Sequence, residues 1–353
     1  MSSLIVKVRK VKAVRNHPNA DRLDLIQVKG WQCIVGRGDH KVGDSVVFIP
    51  PDSILPPEFI ERFDISYLKG KNGRVGTVKL RGEYSEGLVI SNVDNLKAGA
   101  DAADHYGITK WEPPTRHTGN VRSGPPRRRI KGFNRYTKIE NIKNYIDVFQ
   151  PGEQVYITEK IHGTNFRAGW GERGGFFGLF FKYIFAIGSR NVIVSARNKK
   201  HDYYGSNVYA EIARRYDLKN RIPKGYVTYG EIYGQGIQDL VYGLGNGLGG
   251  SVPKIDVVFY DVWTDGHYLN PYKCIALLRE WGLPIVPILY YGDWEVSLAD
   301  RFAGGMSVLD KKTLREGCVI KPATEGKRGQ LGRGVLKAIS QEYLTRKKGT
   351  EFH

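Results

Sequence analysis

Cysteine is scarce in this 353-residue chain: Cys33, Cys274 and Cys318 are three, an odd number, and widely spaced. That argues against a disulfide framework and against a thiolate zinc site, and it fits a reducing, intracellular setting. Long hydrophobic runs are missing as well. The richest stretch, residues 176–185, is short and carries Lys182, so it reads as buried strand or insertion loop and not as a membrane span. Residues 1–7 run straight into strand-like alternation and do not resemble a signal peptide. Acidic residues are the third shortage, 36 against 54 Lys and Arg, which leaves a net charge of +18. A surface that basic attracts polyanions, and nucleic acid is the first partner to consider. Hydrophobic content of 41% and charged content of 25% are ordinary, so a real core is expected.

Three segments differ in character. In residues 4–106, short alternating or apolar runs (4–8, 25–28, 32–35, 45–49, 75–80 and 87–90) are separated by Gly, Pro, Asn and Asp clusters. Many short strands at that spacing suggest a small antiparallel barrel, so 1–106 is read as one domain. Residues 107–135 hold eight Lys and Arg against one acid, two Pro-Pro pairs and Arg127-Arg128-Arg129. Such a segment buries too little to fold alone and reads as a linker, or as a basic strap for phosphates. Residues 136–353 form the second domain. Helical spacing is expected over 136–149, where Ile139, Ile142 and Ile146 recur, and again over 206–216, 270–281 and the basic tail 341–348. The glycine-rich stretch 234–250 does not lie between a strand and a helix, as a dinucleotide fingerprint must.

The second domain is organised around Thr158-Glu159-Lys160-Ile161-His162-Gly163-Thr164-Asn165. The approach alternates like a strand, with Val155 and Ile157 on one face and Tyr156, Thr158 and Lys160 on the other. Gly163 allows a tight turn close to a ligand. A lysine at such a strand mouth can be a nucleophile if its neighbours favour the neutral amine. Taken alone it reads as an exposed lysine at a strand end, and it is the company downstream that overturns this.

That company follows in order: Gly188-Ser189-Arg190-Asn191, Tyr229-Gly230-Glu231-Ile232, Val258-Phe259-Tyr260-Asp261, Glu316-Gly317-Cys318-Val319-Ile320-Lys321 and Val335-Leu336-Lys337. With Lys160-Ile161-His162-Gly163-Thr164-Asn165 this series resembles the ATP-dependent RNA ligases of the covalent nucleotidyltransferase superfamily. The domain order is similar to the Deinococcus-type enzymes, with an OB-fold domain first. The resemblance implies an α+β protein: an OB-fold β-barrel, then a nucleotidyltransferase (DNA-ligase-like, ATP-grasp-like) domain of antiparallel sheets with flanking helices.

It also implies roles. Lys160 would take AMP from ATP, and Lys337, Glu231 and Glu316 would complete the catalytic set. The two glutamates would hold Mg2+ or Mn2+, directly or through water. Glu159, Ile161, His162, Gly163, Asn165, Arg190, Tyr260, Val319 and Lys321 would surround ATP, with Tyr260 and Val319 enclosing the base, and Arg197 is the rival of Arg190. Asp261 more plausibly supports its strand by hydrogen bonding than binds metal. The pattern departs from many relatives in carrying one lysine in Lys337-Ala338-Ile339 and tyrosine at position 260, where phenylalanine is common. The implied partner is RNA with 3′-hydroxyl and 5′-phosphate ends, as in a nicked duplex, acted on by a monomer without membrane attachment. Within the barrel, Asn16-His17-Pro18-Asn19-Ala20-Asp21-Arg22-Leu23 resembles the first turn of tRNA-binding OB folds, and Arg9, Lys12, Arg15, Arg22, Trp31 and Arg37 could meet RNA, as could Arg127, Arg128 and Arg129. The barrel equally reads as a domain that only orients the ligase module. A non-catalytic tRNA- or RNA-binding protein built on the barrel is the alternative.

Overall fold

The computed structural model describes residues 3–112, 130–172, 183–194, 207–245 and 253–346. These form two compact units, the first combining 3–112 with 139–147 and 341–346, the second combining 130–138 with 148–340. Residues 139–147 and 341–346 therefore belong with the first unit, whereas sequence order alone places them in the second domain.

The first unit contains β1 (Lys7–Asn16), β2 (Leu23–Val28), β3 (Trp31–Gly36), β4 (Ser45–Ile49), β5 (Ser53–Ile54), α1 (Pro57–Arg62), β6 (Thr77–Leu80), β7 (Glu83–Glu86), β8 (Leu88–Ser91), β9 (Thr109–Lys110) and β10 (Glu140–Asn141). Its main sheet is antiparallel in the order β3-β2-β1-β4-β8. β1 serves both halves: Lys7 to Lys10 pair with β4, and Val11 to Asn16 pair with β2 across an irregularity between Val11 and Ala13. Such a bulge sharpens the local twist, which lets one strand bend between two layers. Both faces are covered accordingly. Val11, Ile26, Val46 and Phe48 pack in one cluster, and Val6, Val8, Val47 and Ile49 pack with Phe59 of α1 in another.

The expected helix over 136–149 is not there. The segment holds β10 and a single 3-10 turn, Ile142–Asn144, whose N-cap Asn141 accepts from Lys143 N. Asparagine side chains bond their own backbone and compete with helix, and here that competition wins over the isoleucine spacing. Lys143 instead meets Glu86 at 2.6 and 2.7 Å, with Glu86 only 2% exposed. Removing one partner of a buried pair strands the other charge. Lys143→Ala is accordingly expected to cost about 3 kcal/mol, read as a shifted denaturant midpoint at unchanged slope; a shift too small to measure would show that Glu86 is not dependent on this ammonium.

The second unit has β11 (Gln154–Lys160), β12 (Thr164–Glu172), β13 (Tyr183–Gly188), β14 (Ile193–Val194), α2 (Val208–Arg215), α3 (Leu218–Arg221), β15 (Val227–Gly234), β16 (Ile255–Thr264), β17 (His267–Tyr268), α4 (Pro271–Glu280), β18 (Ile288–Asp293), α5 (Ser297–Ala303), β19 (Gly317–Pro322) and β20 (Leu336–Ile339). The expected helices 206–216 and 270–281 are α2, capped by Asn207, and α4, opened by Pro271 at its first turn. One antiparallel sheet runs β14-β13-β12-β15-β16-β17, and in a second the order is β20-β19-β11-β18. Phe166, Ile232, Val257 and Phe259 of the first sheet are buried with Ile212 of α2 and Leu278 of α4. The architecture is α+β, an OB-type sheet followed by antiparallel sheets with few helices. The chain leaves the second sheet at Lys160 and enters the first at Thr164, so the crossing residues Ile161, His162 and Gly163 lie where the two sheets meet.

Candidate active site

Gly163 is required at this crossing. A Cβ there would collide with the Ile232 carbonyl and come within 2.9 Å of Glu231 Cγ. Glycine thus lets the loop press onto β15, and Glu231 is brought beside it. Lys160 ends β11 with its Nζ donating to Glu316 Oε1 at 2.7 Å. Register explains the rest of that face. Thr158 lies opposite Val319, and Val319 lies opposite Lys337, so these side chains line one surface of the sheet with Lys160. In the other sheet Asn165 lies directly opposite Glu231. Its Nδ2 donates to the Tyr260 hydroxyl at 2.6 Å. Arg190 is near enough to Glu231 and Tyr260 to influence the ionisation of both. The structure therefore gathers Lys160, Glu316, Glu231, Asn165, Tyr260 and Arg190 into one site, with Val319 and Lys337 on its wall. Arg197 lies outside the described residues.

The electrostatics of the two glutamates are unusual. Burial pushes the Glu231 carboxyl from 4.5 up to about 8; Lys160 and Arg190 oppose that rise, and Glu316 adds to it. Glu316 Oε2 is buried with no hydrogen-bond partner among the described residues, and His162 Nδ1 stands 3.8 Å away. Two interacting carboxylates, one with an oxygen short of a donor, fit a hard divalent cation such as Mg2+ or Mn2+. Among the described residues no cluster of three or more His, Cys, Asp or Glu could enclose a metal. An ion held here would complete its shell with water and substrate oxygens, as Mg2+ commonly does.

A consequence for stability can be tested without substrate. Below pH 4.5 the Glu231 carboxyl is protonated in both folded and unfolded chains. Between pH 4.5 and about 8 the unfolded chain releases a proton that the folded one keeps. Stability therefore falls as pH rises through this window and levels off above it. Glu231→Gln removes that dependence. The variant's advantage is expected to grow from nil near pH 4 to roughly 2–4 kcal/mol near pH 9, after discounting for the partial exposure of the group. Denaturant melts in metal-free buffer measure it, and parallel pH profiles for the two proteins would refute it.

Two expected ligand contacts are redirected. Lys321 is buried, and its ammonium donates to the Tyr260 carbonyl at 2.6 Å and to Asp261 at 2.9 Å. It fastens β19 beneath Tyr260 and is not presented as a second phosphate cation. Burial alone would raise the Asp261 carboxyl, but Arg333 and Lys321 outweigh it and hold it below the usual range. Asp261 also accepts from the Tyr136 hydroxyl at 2.7 Å, so its expected supporting role is the observed one. Glu159 points to the opposite face of β11, where it is 1% exposed and accepts from Val308 N at 2.8 Å. It braces the loop before β19, with its side chain turned away from Lys160. Ile161 is likewise buried, packed with Tyr233, Tyr242 and Val258.

A small cavity of about 20 Å3, partly open to solvent, lies behind Tyr260; Tyr156, Thr158, Val286, Ile288 and Lys321 also line it. Sequence reasoning missed Asp239 and Tyr242. The first meets His162 Nε2 at 2.7 Å, and the hydroxyl of the second accepts the His162 backbone N–H at 2.8 Å. Both sit in the glycine-rich stretch set aside above, and no local spacing ties them to His162.

Of the residues expected to meet RNA, Lys12, Arg15, Arg22 and Arg37 are exposed on the first unit and Arg9 is half-buried. Trp31 is not available: it is buried, stacked on Phe48, with its ring N–H given to Asn144 Oδ1 at 3.0 Å. Lys29, unremarked in the sequence, adds a cation beside Arg9. Burial and then Arg9 push its ammonium below the usual lysine range. Arg127, Arg128 and Arg129 lie outside the described residues.

The RNA ligase family model matches residues 153–339, and an OB-fold domain model matches residues 5–92. No curated protein matches significantly. Among solved structures, the chain is similar to Naegleria gruberi RNA ligase with PPi, at 24% identity and a TM-score of 0.70 over 97% of this chain and 98% of that one. A variant of the same Naegleria enzyme with ATP and Mn matches at 23% identity and TM-score 0.71, over 96% and 98%. Another variant, with AMP and Mn, matches at 23% and 0.71, over 97% and 98%. The likeness is one of fold across nearly the whole of both chains.

Proposed function

We propose, on the premise that this chain belongs to the RNA ligase family, that it is an ATP-dependent ligase sealing RNA 3′-hydroxyl and 5′-phosphate ends through a lysyl-AMP on Lys160. The observation that carries the reading is the Lys160 amine held 2.7 Å from Glu316 Oε1 in a cleft that also contains Glu231 and Arg190. An amine attacks phosphorus only after losing a proton, and Glu316 stands where that proton points. The Lys160 nitrogen then bonds to the α-phosphorus of ATP as the bond to pyrophosphate breaks. AMP passes to an RNA 5′-phosphate oxygen with the lysine as leaving group. A 3′-hydroxyl next displaces AMP and closes the phosphodiester.

Each step is a displacement at phosphorus, where positioning and charge neutralisation do most of the work. Lys337, on the same sheet face as Lys160, and Arg190 supply positive charge for the α-phosphate. Tyr260 and Val319 enclose the adenine. Glu231 and Glu316 would hold Mg2+ or Mn2+, which when bound neutralises phosphate charge. Naegleria RNA ligase solved with ATP, AMP, PPi and Mn supports that ligand set. The exposed cations of the first unit suit an RNA backbone, and sealing of nicked duplexes in RNA repair, by a monomer, is the role this reading assigns. Among the described residues no helix is long and apolar enough to cross a membrane, and the three cysteines are free and buried, in keeping with a reducing compartment.

The test is direct. Purified protein incubated with α-labelled ATP and a divalent ion should acquire label, then pass it to the 5′-phosphate of a nicked RNA duplex and seal the nick. Protein that binds RNA but never takes label would instead be the non-catalytic OB-fold binder.

A further inference from the structure

Tyr260 carries a hydroxyl that base stacking does not use. In the pairing of β15 with β16, Gly230 faces Phe259 and Tyr229 faces Asp261, so Tyr260 is the extra residue of a bulge. Bulges re-aim side chains. Here the phenol meets Asn165 Nδ2 at 2.6 Å. That contact uses the amide's donor side and leaves the carbonyl oxygen. Asn165 Oδ1 is buried and has no hydrogen-bond partner among the described residues. A buried acceptor without a donor is costly unless a ligand supplies one. It also sits on the face shared with Glu231, inside the site and not behind it.

We propose that the Tyr260 hydroxyl fixes the Asn165 amide so that its carbonyl oxygen receives a sugar hydroxyl of a reacting nucleotide. This rests on the ligase reading. Nucleotides carry no cationic donor at neutral pH, so the group they can offer Asn165 Oδ1 is neutral and polar. Of the groups on the reactants, ribose hydroxyls meet that description. Two sources share this chemistry, the ribose of ATP and the terminal ribose of the RNA 3′ end. Asn165 would touch substrate; Tyr260 would act through it as a positioning residue.

The experiment compares ribose with 2′-deoxyribose in each source: ATP against 2′-deoxy-ATP for labelling, and RNA 3′ ends with or without the terminal 2′-hydroxyl for sealing. Wild-type protein is expected to prefer the hydroxyl by about tenfold in one arm, the scale of one buried hydrogen bond. Tyr260→Phe keeps the ring and should shrink that preference several-fold. Asn165→Ala should bring it to about one. The double variant should show no smaller preference than Asn165→Ala, since Tyr260 has nothing left to position. A purely structural loss lowers both substrates equally and leaves the ratio unmoved. A wild-type ratio near one in both arms, or a ratio unchanged in Tyr260→Phe and Asn165→Ala, overturns the proposal. Failure of wild-type protein to take label from ATP at all would instead overturn the ligase reading beneath it.

Discussion

Lys160→Ala is expected to reduce transfer of label from ATP to the protein below detection, a loss of at least about 10,000-fold. Among the described residues no neighbouring lysine is placed to stand in. Lys321 is fastened to Tyr260 and Asp261, and Lys337 lies two strands away from Lys160, beyond β19. The effect should nevertheless be confined to the steps in which the lysine bonds to phosphorus. A nicked duplex whose 5′ end already carries AMP needs only attack by the 3′-hydroxyl, and Glu231, Glu316 and Arg190 remain in the variant. Sealing of that substrate is expected to fall by about tenfold or less. Single-turnover rates on the two substrates measure the split. Equal losses on both would place Lys160 in charge stabilisation and not in covalent chemistry, and a labelled Lys160→Ala protein would move the nucleophile elsewhere.

Much of this site is legible in sequence because its parts are local. Lys160 and Gly163 share one turn, and Glu231, Tyr260 and Glu316 each sit in or beside a strand that alternation reveals. α2 and α4 could be read from spacing and from Asn207 and Pro271 at their starts. What stayed hidden depends on register and on contacts between distant segments. Lys321 looks like a free cation beside Glu316 until β19 is paired with β11 and its ammonium is seen to reach Tyr260 and Asp261. The facing of Asp239 toward His162 spans 77 positions and leaves no periodic trace. Residues 139–147 mislead for a different reason. Their isoleucines match a helix, but Asn141 caps a 3-10 turn, Asn144 binds Trp31, and Lys143 neutralises Glu86. There a local cap at Asn141 and the tertiary partners of Lys143 and Asn144 together override the helical spacing.

Glu316→Gln is expected to slow formation of the lysyl adduct about 1,000-fold, close to 4 kcal/mol of barrier. The substitution keeps shape, and the amide oxygen can still accept from Lys160, so the protein should fold and bind ATP. What it removes is charge. A glutamine cannot take the lysine's proton, which the carboxylate at 2.7 Å is placed to receive. It also leaves Glu231 as the lone carboxylate for a divalent ion, and that carboxyl is held up to about 8 by burial. Near neutral pH the cleft would then present mostly a protonated acid to the ion, where the native pair presents charge. The two losses can be separated by titrating Mn2+ at saturating ATP. If weakened ion binding were the whole effect, high Mn2+ would restore the wild-type rate; if the missing proton acceptor matters as well, the rate should plateau far below it and recover in part as pH rises toward 9. A plateau within tenfold of wild type at neutral pH would remove Glu316 from the proton's path and leave it only a place in the ion site.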